Sequence, residues 1–300
     1  MPGLRLSALP QRPARVLVGW LDAAEAASWL TGRQVNAEAA PEQVMRAERM
    51  RATVASRDAG VSEAAAISEP TATLERYVAT LDQNREFAAM LGEGFRVAVA
   101  DLRDLCALQP YVYTDQASER VATVDPADIA SLAAVTLPAA VPEPPAPRFD
   151  EAKQAWVFWS DNPNLRLLGP FNAELDPNGF AFGFIVGVTT SFLQVTRFSG
   201  RHFLRDGYHR AYGLLARGIT HVPVMLRECR TVAEFAPPPG TLPLGVCLGE
   251  RPARLPDFFD DAVSATVTAT APRKLVVVQA HEANYTPVDA AARHGAPGGR

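Results

Sequence analysis

The spacing of hydrophobic residues predicts a helical N-terminal region followed by a mostly β-stranded remainder. From Leu21 to about Leu91 the chain is rich in Ala, Glu, Arg and Met, and over 71–91 the apolar positions form the stripe that is typical of an amphipathic helix. From Phe95 onward most apolar runs alternate with a period of two, which is typical of strands. The predicted helices of the first part are 21–30, 41–57 and 71–91, after a loose basic leader over residues 1–15.

The remainder is divided by proline and glycine. Residues 138–147 and 237–240 are proline-rich and predict a linker or an extended strap. The predicted strands are 95–101, 156–160, 180–188, 192–198, 201–205, 222–227 and shorter ones near 242–248, 263–269 and 274–280; the predicted helices are 102–108, 126–134 and 208–217, with an irregular segment from Gln109. Because both faces of 180–188 are apolar, we expect a central strand with another backbone against its glycine-bearing face.

These elements predict an α/β protein of the α+β type. We expect a helical N-terminal region (1–92), a core domain (93–235) with an insertion at about 140–190, and a β-rich C-terminal extension with a flexible tail (236–300). No internal repeat is found.

The composition is that of an ordinary globular chain, with 48% hydrophobic residues and a formal net charge of −4. That charge disfavours general attraction to nucleic acid. The three cysteines form no CxxC pair and no HExxH occurs, so no structural metal is predicted. The longest apolar stretch, 180–193, is shorter than the roughly 20 residues that span a bilayer. We therefore expect a cytoplasmic protein without a membrane segment.

The most informative segment is a strand–turn–helix over 192–217. Ser199 and Gly200 separate two alternating runs, which predicts a hairpin. Asp206-Gly-Tyr-His-Arg210 then opens a helix. Glycine at such a junction lets the backbone approach a ligand, and the unpaired first-turn N–H groups favour an anion. The same residues also fit a plain helix start, in which Asp206 is the N-cap and pairs with Arg210.

The Asp-Gly-x-His-Arg motif, with the apolar helix, Gly218 and the Val-Pro-Val strand that follow it, resembles the ParB/sulfiredoxin superfamily, which includes ParB-like nuclease domains. The similarity covers about 197–228, and 97–110 is more weakly similar to the opening of such domains.

The resemblance implies a ParB/sulfiredoxin-like domain that binds a nucleotide, such as ATP or CTP with Mg²⁺, or another phosphorylated small molecule. Phosphoryl transfer or hydrolysis is the reaction that it implies. In that comparison the backbone N–H groups of 207–209 and the side chains of His209 and Arg210 contact phosphate, while Asp206 orients the arginine or a metal-bound water. The implied ligand-binding residues are Arg205, Asp206, Gly207, Tyr208, His209 and Arg210.

Departures from the family narrow this expectation. Tyr208 stands where sulfiredoxins have their catalytic cysteine, so sulfinic acid reduction is not expected. The chain after residue 228 lacks the basic helical domain of ParB partition proteins. The candidate carboxylate bases are Asp101, Asp104, Asp115 and Glu119, and the sequence does not choose among them, so the catalytic residues remain unassigned.

Two other functions stay open. One is a non-catalytic interaction or regulatory module with a vestigial site, whose helical region and proline-rich straps meet a protein partner or a second copy. The other is a ParB-type DNA binder or nuclease, which the acidic composition disfavours.

Overall fold

The computed structural model describes residues 9–32, 39–58, 67–140, 142–176 and 179–281. The helices in these ranges are α1 (Ala23–Leu30), α2 (Pro41–Ser56), α3 (Ala72–Val78), α4 (Arg85–Gly92), α5 (Thr114–Arg120), α6 (Ile129–Thr136), α7 (Tyr208–Ala216), α8 (Val232–Phe235) and α9 (Leu244–Cys247).

The strands are β1 (Gln11–Val16), β2 (Ile67–Ser68), β3 (Arg96–Asp101), β4 (Cys106–Ala107), β5 (Tyr111–Tyr113), β6 (Arg148–Asp150), β7 (Ala155–Ser160), β8 (Leu165–Asp176), β9 (Gly179–Val188), β10 (Gln194–Phe198), β11 (Arg201–Asp206), β12 (His221–Glu228), β13 (Ala265–Thr270) and β14 (Lys274–Gln279). With 34% helix and 31% strand, the chain is an α+β protein.

The largest sheet has six strands in the order β2-β3-β12-β10-β11-β4. Its central pair β12 and β10 is parallel, whereas β10 and β11 form an antiparallel hairpin. Ser199 and Gly200 both have positive φ, the conformation that a tight two-residue hairpin turn requires. The predicted hairpin is therefore confirmed.

Helix α7 connects the end of β11 to β12, as predicted. Tyr208, Ala211 and Leu214 face the interior. The helix ends at Ala216, and Gly218, which follows the C-cap, has a φ of 76° and donates to the Leu215 carbonyl, as a glycine C-terminal to a helix does. This unit places the Asp206 turn at the end of β11.

A second sheet, in the order β13-β1-β5, contains a strand that the sequence did not predict. Residues up to 15 were expected to belong to a loose basic leader, but Gln11–Val16 pairs along its whole length with β13. The reason is that the arginines have distant partners: Arg12 binds Asp115, and the buried Arg15 binds Asp261 and the Phe258 carbonyl. The two sheets therefore join residues of all three predicted segments.

Three predictions between 71 and 125 are corrected. The helix over 71–91 is broken, because Asn84 accepts from Phe87 N–H and starts α4 as a separate helix. The helix predicted over 102–108 is a single 3₁₀ turn followed by β4, which pairs with β11. The segment after Gln109, predicted to be irregular, contains β5 and α5.

Two further predictions are corrected. The strand predicted near 242–248 is α9, which begins after Pro243. The helix predicted over 126–134 begins later, at Ile129, because Asp128 and not Asp125 accepts from its first turn. The predicted strands near 263–269 and 274–280 are confirmed as β13 and β14, and the tail lies outside the described residues.

The segment predicted as an insertion contributes β6, β7, β8 and β9 to two small sheets, β14-β7-β6 and β8-β9, and β14 comes from the C-terminal part of the chain. The apolar strand expected to be central is β9, and this expectation is wrong. It pairs only with β8 among the described residues, and its side chains Phe182 and Ile185 are exposed. A continuous apolar run makes both faces of a strand apolar, but it does not show whether other elements cover those faces.

Within the described ranges, no helix combines the length and the apolar character needed to cross a membrane.

Candidate functional site

The turn at the start of α7 requires glycine. Gly207 has a φ of 95°, in the left-handed region that disfavours side chains. A Cβ at this position would lie 3.0 Å from Leu193 Cγ and 3.2 Å from Arg210 Nη2. Both the backbone conformation and the close packing of Leu193 and Arg210 therefore require glycine at position 207.

Asp206 is not the N-cap of α7. Its carboxylate accepts from the N–H of Gly207 at 2.6 Å and from Ser191 Oγ at 2.8 Å. Arg210, which was expected either to pair with Asp206 or to contact phosphate, donates to the same Ser191 hydroxyl at 2.9 Å. Ser191 thus lies between the aspartate and the arginine.

Arg210 is buried, with 5% of its surface exposed. It donates to the carbonyls of Val135 at 3.0 Å and Ser191 at 2.6 Å, in addition to the Ser191 hydroxyl. Burial lowers the pKa of Arg210 to about 10, so it remains charged at neutral pH. These hydrogen bonds join α7 to the end of α6 and to the segment before β10. Arg210 therefore holds α7 in position.

His209 is packed against α5 and β5. Its ring stacks on Tyr113, with 5.9 Å between ring centroids, and its Nε2 is enclosed without a hydrogen-bond partner in the described part of the chain. Burial, together with the charges of Arg120 and Arg210, lowers the pKa of His209 to about 3. His209 is therefore neutral at physiological pH and adds no charge for an anion.

Tyr208 also has a packing role. Its hydroxyl donates to the Leu204 carbonyl and accepts from the N–H of Leu108 at 2.5 Å. Burial raises the pKa of Tyr208 well above its usual range. Tyr208 therefore connects α7 to β11 and to the segment after β4.

Arg205 lies at the surface of the site and is half-buried. It donates to the carbonyls of Phe235 at 2.7 Å and Ala236 at 3.3 Å. No carboxylate in the described ranges forms an ion pair with it. Carbonyl acceptors leave the guanidinium charge unneutralised, so Arg205 has charge to offer a ligand.

A cleft of about 1070 Å³ opens beside this turn. Asp206 and Arg205 form one part of its wall together with Gln194, and Arg166 lies at another. Like Arg205, Arg166 donates only to main-chain carbonyls among the described residues. The remaining walls are mainly apolar or uncharged, from residues that include Trp29, Tyr111, Pro110, Asn164, Pro238 and Thr241.

Arg120 of α5 was not predicted as a site residue. Burial lowers its pKa, whereas the charge of Asp206 raises it, so the guanidinium lies close to the turn. It has no hydrogen bond or ion pair within the described part of the chain. The sequence could not place it because α5 was expected to be irregular.

The cleft and turn carry more positive than negative charge. The arginines are Arg120, Arg166, Arg205 and Arg210, and the carboxylates near them are Glu25, Glu119 and Asp206. Four positive charges against three negative ones leave an excess of one, whereas the whole chain has a net charge of −4. The cleft lining itself is balanced, with Arg166 and Arg205 against Glu25 and Asp206, and the excess comes from Arg120 and Arg210, which are outside the lining.

The four carboxylates predicted as candidate bases do not line the cleft. Asp101 is buried and bonded to Arg103, which lowers its pKa. Asp104 pairs with Arg254, Asp115 pairs with Arg12, and Glu119 is exposed on α5. The structure brings Asp206 to the cleft instead.

In the described ranges, no group of three or more His, Cys, Asp or Glu side chains could hold a metal ion. No protein-family model, no curated protein and no solved structure matches the chain at a significant level.

The low pKa of His209 predicts a pH dependence of stability. Its pKa falls from an ordinary 6.5 to about 3 in the folded chain, so the unfolded chain takes up the proton first. The folded chain therefore keeps its full free energy of unfolding above pH 6.5 and loses part of it as the pH falls toward 3. The loss due to His209 is roughly 2 kcal/mol at pH 5. Denaturant unfolding measures the drop in the free energy of unfolding between pH 7 and pH 5. This drop should be smaller in His209→Phe than in the wild type by about the same amount.

His281→Phe is the matched control, because His281 is exposed. Its unfolding curves at the two pH values should follow those of the wild type. Equal losses in the wild type and His209→Phe would contradict the burial of a neutral imidazole at position 209.

Proposed function

We propose that the chain binds a nucleotide or another phosphorylated small molecule in the cleft beside the Asp206 turn. The observation that carries this proposal is that Arg205 and Arg166 line the cleft without a carboxylate partner among the described residues. Arginine binds phosphate oxygens through charge-assisted, often paired hydrogen bonds.

The size of the cleft supports a ligand of nucleotide size. Small-molecule sites typically measure about 300–1,000 Å³ and combine apolar walls with a few polar groups. This cleft has about that volume. Gln194 and Asn164 add amide groups that can recognise sugar or base atoms.

The proposal divides the six predicted residues into two groups. Arg205 and Asp206 face the ligand, and Arg205 contacts its phosphate. Gly207, Tyr208, His209 and Arg210 build and hold the turn, because their polar groups bond to the chain itself or are enclosed within it. The order of β11, turn, α7 and β12 supports a ParB/sulfiredoxin-like fold for this part, which we propose with the function.

Turnover is a further step of the same proposal. Mg²⁺ usually binds through one or two carboxylates and substrate phosphates rather than a protein cage. Asp206 fits one such ligand position, and the phosphates supply the rest. Bound Mg²⁺ would neutralise phosphate charge for phosphoryl transfer or hydrolysis.

A second candidate function is a protein-interaction module, and one observation favours it. The hairpin β8–β9 exposes apolar side chains on both of its faces. Exposed apolar surface of this kind marks interaction sites in soluble proteins.

The cleft proposal is tested by thermal unfolding with a panel of nucleotides and inorganic phosphates, with and without Mg²⁺. A ligand at a hundred times its dissociation constant should stabilise the wild type by roughly 2.7 kcal/mol. Arg205→Gln combined with Arg166→Gln should lose most of this ligand-induced stabilisation, each protein being compared with its own ligand-free state.

Arg197→Gln is the matched control, because Arg197 is exposed and pairs with Glu228 away from the cleft. It should keep the full ligand effect. Absence of stabilisation by every phosphate compound, or equal stabilisation of the double variant, would contradict the proposal and favour the interaction module.

A further inference from the structure

The hydroxyl of Ser191 lies between a carboxylate and a guanidinium. It donates to Asp206 Oδ2 at 2.8 Å and accepts from Arg210 Nη2 at 2.9 Å. A serine hydroxyl has one proton to donate and two lone pairs that can accept. Within the described part of the chain, these two bonds use the proton and one lone pair, so the other lone pair of Ser191 Oγ remains free.

Asp206 has the position of a general base for this hydroxyl. A nucleophile and its base normally lie about 2.6–3.2 Å apart, and a third group orients the base. The N–H of Gly207 donates to Asp206 Oδ1 at 2.6 Å, and this bond fixes the carboxylate with its other oxygen against Ser191. Both donors to Asp206 are neutral groups, an amide and a hydroxyl, so the carboxylate is free to accept a proton.

Arg210 supports the serine from the other side. A cation that donates to an oxygen favours the negatively charged form of that oxygen. The guanidinium therefore stabilises the alkoxide character that Ser191 gains as its proton leaves. Arg210 is itself fixed by its bonds to the Val135 and Ser191 carbonyls, so it is a positioning residue and does not contact the ligand.

The carboxylate that accepts from Ser191 also lines the cleft. Asp206 and Arg205 belong to the cleft wall, and Ser191 Oγ is one hydrogen bond away from it. Ser191 is only partly buried. A carboxylate offers about four lone-pair sites, and two of them are used here, so Asp206 can accept from Ser191 and also bind Mg²⁺. A phosphate bound by Arg205 therefore has a hydroxyl nucleophile close to it.

We propose that Ser191 takes up the terminal phosphoryl group of a nucleoside triphosphate, an inference that rests on the proposed nucleotide binding. Ser191 Oγ forms a bond to the terminal phosphorus while the bond from this phosphorus to the bridging oxygen breaks. The hydroxyl proton passes to Asp206 Oδ2, and the nucleoside diphosphate leaves with the electron pair of the broken bond. A carboxylate is a sufficient base, because phosphoryl transfer depends mainly on positioning and charge neutralisation. The product is phosphoserine at position 191.

The test is the mass of the intact protein after incubation with ATP, CTP, GTP or UTP and Mg²⁺, followed by mapping of the modified peptide. The wild type should gain one phosphoryl group, located on Ser191. Asp206→Asn should lower the rate at least roughly a hundredfold, the usual contribution of a general base. Ser28→Ala is the matched control and should react like the wild type, because Ser28 lines the cleft but donates to no carboxylate among the described residues.

Thermal unfolding with the same nucleotides separates this inference from the binding site itself. A wild type that a nucleotide stabilises but that gains no mass would overturn the role of Ser191 and leave the binding site standing. Absence of both effects would overturn both proposals. A phosphoryl group on another residue, or an unchanged rate in a folded Asp206→Asn, would also overturn the role of Ser191.

Discussion

Replacement of Arg210 by alanine is expected to lower the free energy of unfolding by about 3–5 kcal/mol, because hydrogen bonds from a charged group contribute about 1.5–3 kcal/mol each. The guanidinium is 5% exposed and supplies three hydrogen bonds to Val135 and Ser191. Alanine leaves two carbonyls without these donors inside the chain, and unsatisfied buried groups are costly. Urea unfolding at neutral pH measures the change.

The comparison variant is Arg197→Ala. Arg197 forms an exposed ion pair with Glu228, and such pairs contribute at most about 1 kcal/mol. A change below this limit for Arg210→Ala would show that its buried bonds do not hold α7. The same variant also matters for the proposed function. If Arg210→Ala loses ligand binding, the cause is a disrupted turn, because Arg210 does not contact the phosphate in this proposal.

Gly213→Ala is the second substitution with a large expected effect. Inside an exposed helix, alanine is more favourable than glycine by about 1 kcal/mol. In α7 the added Cβ would lie 2.4 Å from the Ala117 carbonyl oxygen and 2.9 Å from Val121 Cγ2. Because a backbone carbonyl cannot turn away like a side chain, we expect a net destabilisation of about 2–3 kcal/mol.

Gly92→Ala provides the control for this prediction. Gly92 ends α4, and a Cβ there would meet nothing within 4 Å. Its denaturation midpoint should stay the same or rise slightly, whereas that of Gly213→Ala should fall. If Gly213→Ala were as stable as the wild type, the close packing of α5 on α7 would be wrong, and with it the position of Tyr113 against His209.

The elements with clear boundaries could be predicted from the sequence. The β10–β11 hairpin has a two-residue turn with glycine, and α7 has glycine at both ends, so local chemistry fixes where each begins and ends. A strand such as β1 lacks such signals. Its residues include Arg12 and Arg15, whose partners lie more than 100 residues away, and no local pattern shows that these charges are paired.

The turn at the start of α7 was predicted in position, but the directions of its side chains were not. The sequence indicated a strand–turn–helix at 205–210, and the structure has that turn beside a cleft. It did not show which way the side chains face, because Arg210 reaches Val135 and Ser191 only through tertiary packing. Arg166 was outside the predicted site, since β8 was not among the predicted strands. For Gly213, the glycine within a helical pattern was the signal available in the sequence for close packing.

The most direct test of the cleft as a phosphate site is calorimetric titration of the stabilising nucleotide into wild type, Arg205→Gln/Arg166→Gln and Arg197→Gln. Because each charge-assisted bond contributes about 1.5–3 kcal/mol, the double variant should bind at least roughly tenfold more weakly. Arg197→Gln should bind as the wild type does. Equal affinity in all three proteins would contradict the cleft site, and loss of affinity in the double variant alone would establish it.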